Sequence, residues 1–353
     1  MAPSIETFAA GAETAVDVAE VERQLRDLWK LASKDSGRIT RACLFNLVAY
    51  CETEADRDRV TGIISEVTSR HPCRAMVLLS QPEVATNEIG ASITAHCHLA
   101  GGGGKQVCCE QISIHASGKN VADLPGAVLP LLESDLPTVL WWHGNFLNRL
   151  DLFRRLRSVS DRLIYDTSSW PSPVDLELLA GELTDKLKFA DLSWTRLALW
   201  QQLIAEAFDE PHCASALPRL QEVEIIHGCG PGATLRAQLL GSWLSAQLGW
   251  SAADAKTRLR LSCREDDDAT AVGIMSITLR GQDFEVRVHK NHGEHTASVV
   301  VNVPEACGLP RKRAFEPDDE AALLGQELDR APASAVYARA LAMAGLTFAL
   351  PGE

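Results

Sequence analysis

Apolar residues recur at helical spacing over residues 16–32, where Val18, Val21, Leu25, Leu28 and Trp29 form one stripe and Glu20, Glu22, Arg23 and Arg26 the other side. That period predicts an amphipathic helix. Residues 39–51 are a mainly apolar run that predicts a strand, residues 56–70 return to the helical period before Pro72, and residues 74–79 are a compact apolar strand. Residues 92–99 and 106–115 read as two further strands, joined by Gly101-Gly-Gly-Gly-Lys105 as a flexible tip. After a helical 124–132 comes the short β-rich run Thr138-Val-Leu-Trp-Trp142, punctuated by Pro137 and Gly144. A helical stretch, 146–159, and a second apolar strand, 162–165, follow it. Strand, helix, strand in that order is a parallel α/β unit, and such units carry their functional groups at strand ends. His143, Asp166 and Ser168 stand there.

Trp170-Pro-Ser-Pro-Val174 is a rigid turn and a natural boundary, so residues 1–169 are expected as an N-terminal α/β domain and 170–353 as a helical bridge with a C-terminal α+β domain. Two helices, 174–188 and 194–208, flank Asp191-Leu-Ser193, where Asp191 or Ser193 can cap the second. A strand at 223–226, a helix at 233–248 and a strand at 257–263 lead into a meander over 271–279, 284–289 and 297–303. In it Phe284, Val286 and Val288 point one way and Glu285, Arg287 and His289 the other, predicting an antiparallel sheet with one wet face. Helices at 318–328 and 333–346 end the pattern. The predicted class is α/β: two domains, mixed sheets covered by helices, with an antiparallel meander in the second.

A chain of 353 residues exceeds what one hydrophobic core usually organises, which agrees with two domains. Its formal charge of −13 repels phosphate backbones and anionic lipid surfaces, arguing against nucleic acid and membrane as partners. Neither a secretory leader nor an apolar stretch of spanning length is visible, so a cytoplasmic protein is expected. In that compartment the ten cysteines are expected as thiols, with Cys108 in the core and Cys109 at the surface.

Gly228-Cys-Gly230-Pro-Gly232-Ala233, after a strand and before a helix, satisfies a loose glycine fingerprint for an anion-binding turn. The acidic ribose ligand expected about 20 residues onward is missing. Asp254 falls before the next strand and Glu265 comes too late. A tight strand-to-helix turn is the plainer reading, and a nucleotide- or sugar-phosphate-binding enzyme using this turn is the alternative function. Gly104-Lys105 is followed by Gln106, which excludes a phosphate loop of the Walker type. His96 and His98 share a strand face, and His289, His292 and His295 are spaced through a hairpin tip, but no second ligand pair is placed near either group. No metal, no cofactor and no catalytic residue is therefore assigned. Trp141, Trp142 and His143 fit either core packing or an interface anchor at an exposed strand end, with Asp166, Ser168 and Arg196 as a polar rim.

Asp135-Leu-Pro-Thr-Val-Leu-Trp-Trp142, Ser160-Asp-Arg-Leu-Ile164 and Asp191-Leu-Ser-Trp-Thr-Arg-Leu197 resemble the glucose-6-phosphate dehydrogenase assembly proteins, the OpcA family of cyanobacteria and actinobacteria. Arg41-Ala-Cys-Leu-Phe-Asn-Leu47 and Leu239-Leu-Gly-Ser-Trp-Leu-Ser-Ala-Gln-Leu-Gly-Trp250 extend the resemblance. It implies a non-catalytic protein that binds glucose-6-phosphate dehydrogenase and promotes its assembly and activity in the oxidative pentose phosphate pathway. Trp141, Trp142, His143, Asp166, Ser168, Asp191, Trp194 and Arg196 are the expected partner-binding residues. The resemblance also implies redox control with thioredoxin as a further partner, and Cys43, Cys51, Cys73 and Cys97 are the candidate thiols.

Overall fold

The computed structural model describes residues 5–14, 18–36, 39–99, 106–170, 174–183, 188–209, 211–230, 232–265, 273–291, 295–303, 306–307, 311–315, 319–330 and 335–348. The predicted tip at Gly101–Lys105, His292 and the Pro171–Pro173 part of the boundary turn lie outside these residues. Along the chain the elements are β1 (Ile5–Thr14), α1 (Val18–Ser36), β2 (Ile39–Arg41), β3 (Asn46–Cys51), α2 (Glu54–Val67), β4 (Arg74–Gln81), β5 (Ile89–Leu99), β6 (Gln106–Ser117), α3 (Leu124–Val128), β7 (Thr138–Trp142), α4 (Leu150–Arg157) and β8 (Arg162–Tyr165). There follow α5 (Leu176–Glu182), β9 (Lys188–Asp191), α6 (Leu192–Thr195), α7 (Ala198–Ala207), α8 (Pro211–Ala214), β10 (Leu220–Gly228), α9 (Ala233–Gln247), α10 (Ala252–Arg258), β11 (Leu259–Arg264), β12 (Ile274–Gly281), β13 (Glu285–Asn291), β14 (Thr296–Val303), β15 (Ala306–Cys307), β16 (Arg311–Ala314), α11 (Glu320–Asp329) and α12 (Ala335–Phe348). The chain divides into two compact units: the first holds residues 1–165, 187–189 and 320–332, and the second 166–186, 190–319 and 333–353.

The first unit is built on a sheet of order β1-β5-β6-β4-β3-β7-β8-β9, in which β6, β4, β3, β7 and β8 run parallel. Every residue of β3, β7 and β8 is buried, the signature of a sheet covered on both faces. Trp142 packs edge-on against Phe153 of α4 at 5.5 Å, while on the other face Gln111 donates to Thr61 of α2. The run at 39–51 is two strands: β2 pairs with β6, β3 lies between β4 and β7, and the bend between them leaves Leu44 63% exposed. Two separate positions in one sheet cannot be reached without that break.

Buried polar groups in this unit are paired across long sequence distances. Glu110, fully inside, accepts from Arg74, from Arg41 (2.8 Å) and from Trp29 Nε1 (3.1 Å). His96 and His98, which share a strand face as expected, are buried and bond Gln111 and Thr68. Burial depresses both imidazole pKa values, so they sit neutral. Cys109 is also buried, contrary to its expected surface position.

In the second unit the sheet order is β11-β10-β12-β13-β14-β15, with β16 also on β14; β10 and β11 are parallel and the others antiparallel. Val286 and Val288 are fully buried while Arg287 between them is exposed, the predicted wet face. Helix α9 is apolar around most of its circumference because it lies between the sheet and α12. A Cβ on Gly241 would come within 3.1 Å of Leu259, so the glycine sets how closely α9 approaches β11. The predicted helix at 194–208 is divided into α6 and α7, and β9 and α10 occupy stretches that the sequence pattern left mostly unassigned between neighbouring elements.

Four cysteines are paired rather than free. Cys97 and Cys108 face each other in register on β5 and β6, with Cα atoms 4.1 Å apart, and Cys229 and Cys263 lie 5.3 Å apart. Both separations bring the thiols within bonding reach. Pairing of this kind depends on strand register, which the spacing of the residues does not reveal.

Candidate functional site

Five of the expected site residues meet in the second unit, around two carboxylates. Asp166 ends an extended segment and caps the short turn Thr167–Ser169: its Oδ1 accepts from Ser168 N–H (2.8 Å) and from Ser193 Oγ (3.1 Å), its Oδ2 from Arg196 (2.8 Å). Asp191 is the N-cap of α6, as its position before the helix predicts. Its Oδ1 accepts from Ser193 N–H (2.9 Å) and Thr167 N–H (3.0 Å), and its Oδ2 from the Thr167 hydroxyl (2.7 Å) and the Tyr337 phenol (3.1 Å). Each aspartate thus caps its own turn and holds the other's, through Ser193 in one direction and Thr167 in the other.

The two carboxylates titrate apart. Burial and the neighbouring Asp166 charge push Asp191 up to about 6, against the hydrogen bonds from Thr167 and Ser193. Burial also works to raise Asp166, but Arg196 beside it, helped by Ser168, holds it below the ordinary carboxylate range. Both are ionised at neutral pH, where four donors saturate Asp191. Trp194 lies over Tyr337 with ring centres 5.0 Å apart and remains half-buried, as do Asp166, Ser168 and Arg196. This arrangement fixes the Thr167–Ser169 turn and the start of α6 to each other.

Trp141, Trp142 and His143 belong to the first unit. Trp141 and Trp142 are 0% and 1% exposed, so the two indoles fill the core and present no surface; Trp142 stacks on Tyr50 at 3.7 Å. His143 is half-buried at the strand end, its Nδ1 3.7 Å from Asp56.

The glycine turn has a packing reason. Gly232 is the N-cap of α9 with φ +68°, and a side chain there would run into the backbone of Ser168. The turn carrying Gly228 and Gly230 is tied to the end of β11 by the Cys229–Cys263 disulfide, and both cysteines are exposed. Among the described residues no group of three or more His, Cys, Asp or Glu is arranged to hold a metal ion. Of the candidate redox thiols, Cys97 is disulfide-bonded. Cys43, Cys51 and Cys73 are free, with burial as the leading cause raising each thiol pKa, that of Cys51 to about 12. Such thiols are poor nucleophiles.

Sequence reasoning missed Thr167 and Tyr337. Thr167 lies between two of the expected site residues, and its strand-end position was the available signal. Tyr337 is 146 residues from Asp191, and nothing local announces the contact.

Two family models match the chain, both for the glucose-6-phosphate dehydrogenase subunit: that of its N-terminal domain over residues 64–180 and that of its C-terminal domain over 187–341. The chain belongs to the OpcA family. OpcA of Synechocystis sp. (strain ATCC 27184 / PCC 6803 / Kazusa), an OxPP cycle protein by name, is 30% identical over 193 residues, 54% of this chain and 40% of its own. OpcA of Nostoc punctiforme (strain ATCC 29133 / PCC 73102) is 32% identical over 191 residues, 53% of this chain and 40% of its own. The matched stretch thus spans less than half the length of these OpcA relatives. Among solved structures, levoglucosan dehydrogenase in its apo form aligns over 87% of this chain and 89% of its own at 9% identity, with a TM-score of 0.33. No helix among the described residues is long and apolar enough to cross a membrane.

Proposed function

We propose that this chain is a non-catalytic assembly factor and allosteric activator of glucose-6-phosphate dehydrogenase, acting in the cytoplasm within the oxidative pentose phosphate pathway. The observation that carries the reading is its match to both halves of the OpcA assembly family, in order and across most of the chain. The site's chemistry supports it: Asp166 and Asp191 are held by hydrogen bonds from Thr167, Ser168, Ser193, Arg196 and Tyr337, which suits a rigid contact surface. Trp194, Ser168 and Arg196 are the residues of that surface, and His143 is a separate contact of the first unit. Activation then follows from tighter binding to the active form of the enzyme than to its other states. Thioredoxin is a second partner on this reading, and the exposed Cys229–Cys263 pair is the disulfide it would reach.

The test is NADPH formation by purified glucose-6-phosphate dehydrogenase at subsaturating glucose 6-phosphate. Addition of this chain raises the rate, and Trp194→Ala with Arg196→Ala lowers the gain at least fivefold without unfolding the protein. An unchanged rate at saturating concentrations of the chain rejects the proposal.

A further inference from the structure

The first unit contains a topological switch. From β3 the chain passes through α2 to β4 on one side, and it later returns to the other side of β3 as β7 before stepping outward to β8. Crossovers that leave a parallel sheet in opposite directions put their helices on opposite faces, and the strand ends between them are left parted. Here those ends are Cys51-Glu52-Thr53 after β3 and His143-Gly144-Asn145 after β7, brought side by side by the Tyr50–Trp142 register pair. Gly144 has φ +103°, and a Cβ built on it would meet no atom within 4 Å, so the space beside this loop is open.

The groups around that opening come as acceptor and donor couples. Glu52 Oε1 takes the Tyr50 phenol (2.9 Å) and Arg149 Nε (3.1 Å), with 38% of the carboxylate side chain and 31% of the arginine exposed. Asp56 Oδ1 stands 3.7 Å from His143 Nδ1, too far for a hydrogen bond but close enough for one hydroxyl to bond both. On the buried side Ser80 Oγ, beside the Tyr50 phenol, makes no hydrogen bond of standard geometry. A hydroxyl donates and accepts at once, so a ring bearing adjacent hydroxyls is the ligand for which carboxylate-arginine and carboxylate-imidazole couples are matched.

Phosphate is disfavoured at the same place. The first turn of α2 carries Glu54 and Asp56, and the Asp56 N–H is already taken by Thr53 Oγ1. Where a nucleotide-binding crossover has glycines for close backbone approach, this one has Cys51-Glu52-Thr53-Glu54. We infer that the parted strand ends of β3 and β7 bind a neutral polyhydroxylated ring, a sugar without a phosphate near α2, through Glu52, Asp56, His143 and Arg149. This goes beyond the assembly role and does not depend on it.

The test is saturation-transfer NMR on the full chain with D-glucose and, separately, glucose 6-phosphate. Transfer to the glucose ring protons is expected, with apparent affinity at least fivefold weaker in Glu52→Gln with Asp56→Asn and at least fivefold weaker for the phosphorylated sugar. No transfer to glucose, transfer unchanged in the double variant, or tighter binding of the phosphate would each overturn the inference. If the double variant melts early, the His143 imidazole resonance of the unaltered protein gives the same answer: a shift on adding glucose supports the site, and none refutes it.

Discussion

The two units solve the burial of polar groups in different ways. In the first, a parallel sheet covered on both faces leaves strand interiors with apolar side chains; the charge it buries, Glu110, meets the opposite charge of Arg74, and the imidazoles of His96 and His98 are kept neutral. In the second, Asp191 is a buried, ionised carboxylate held by four hydrogen-bond donors rather than by an opposite charge, and it lies beside a second aspartate. Neutral burial needs few partners, whereas charged burial needs a complete set. The second unit has therefore concentrated its hydrogen bonds in one place, and the residues expected to meet a partner are held there.

The largest effect that would sharpen this contrast is Asp191→Ala. It strands two N–H groups and two hydroxyls inside the protein, and a loss of roughly 3–5 kcal/mol is expected by urea denaturation. A loss below about 1 kcal/mol would mean that the four donors find other acceptors. Next come two glycines with positive φ. Gly232→Ala forces a methyl against the Ser168 backbone and is expected to cost roughly 2–3 kcal/mol, while Gly144→Ala opens into free space and loses only what its φ demands, about 1 kcal/mol. Equal losses would contradict the close packing of the second unit's turn.

The pH dependence should have opposite signs in the two units. The imidazoles of His96 and His98 are depressed by burial from an ordinary 6.5, so the unfolded chain binds more protons and stability falls as the pH drops below about 6.5. Asp191 is raised from 3.8 to about 6, so the folded state binds more protons and its contribution grows as the pH falls from about 6 toward 4. Denaturation midpoints between pH 7.5 and 4 check both: His96→Asn with His98→Asn should flatten the first trend, Asp191→Asn the second. The smallest effect is expected on the wet sheet face, where Arg287→Ala should change stability by no more than about 0.5 kcal/mol.

How much of this was legible in the sequence follows the same contrast. β7 and β8 were bounded to the residue, because an apolar run between Pro137 and Gly144 has few alternatives in a doubly covered sheet. The meander was legible through its alternation at Val286, Arg287 and Val288. β9 escaped notice because four residues beginning with an exposed Lys188 carry no period. The capping role of Asp191 could be read locally, but its bonds to Thr167 and Tyr337 could not, since they depend on how distant elements pack. The same limit hid the Cys97–Cys108 pair, which only strand register brings together. Trp141 and Trp142 show the converse error: conspicuous in sequence, they are interior in the fold.

On the proposed function, the working part of this protein is a surface for another enzyme. Sedimentation velocity on a mixture with glucose-6-phosphate dehydrogenase tests it most directly. A single faster boundary containing both polypeptides is expected, lost when Trp194 and Arg196 are both replaced by alanine. Two independent boundaries at micromolar concentrations of each protein would contradict it.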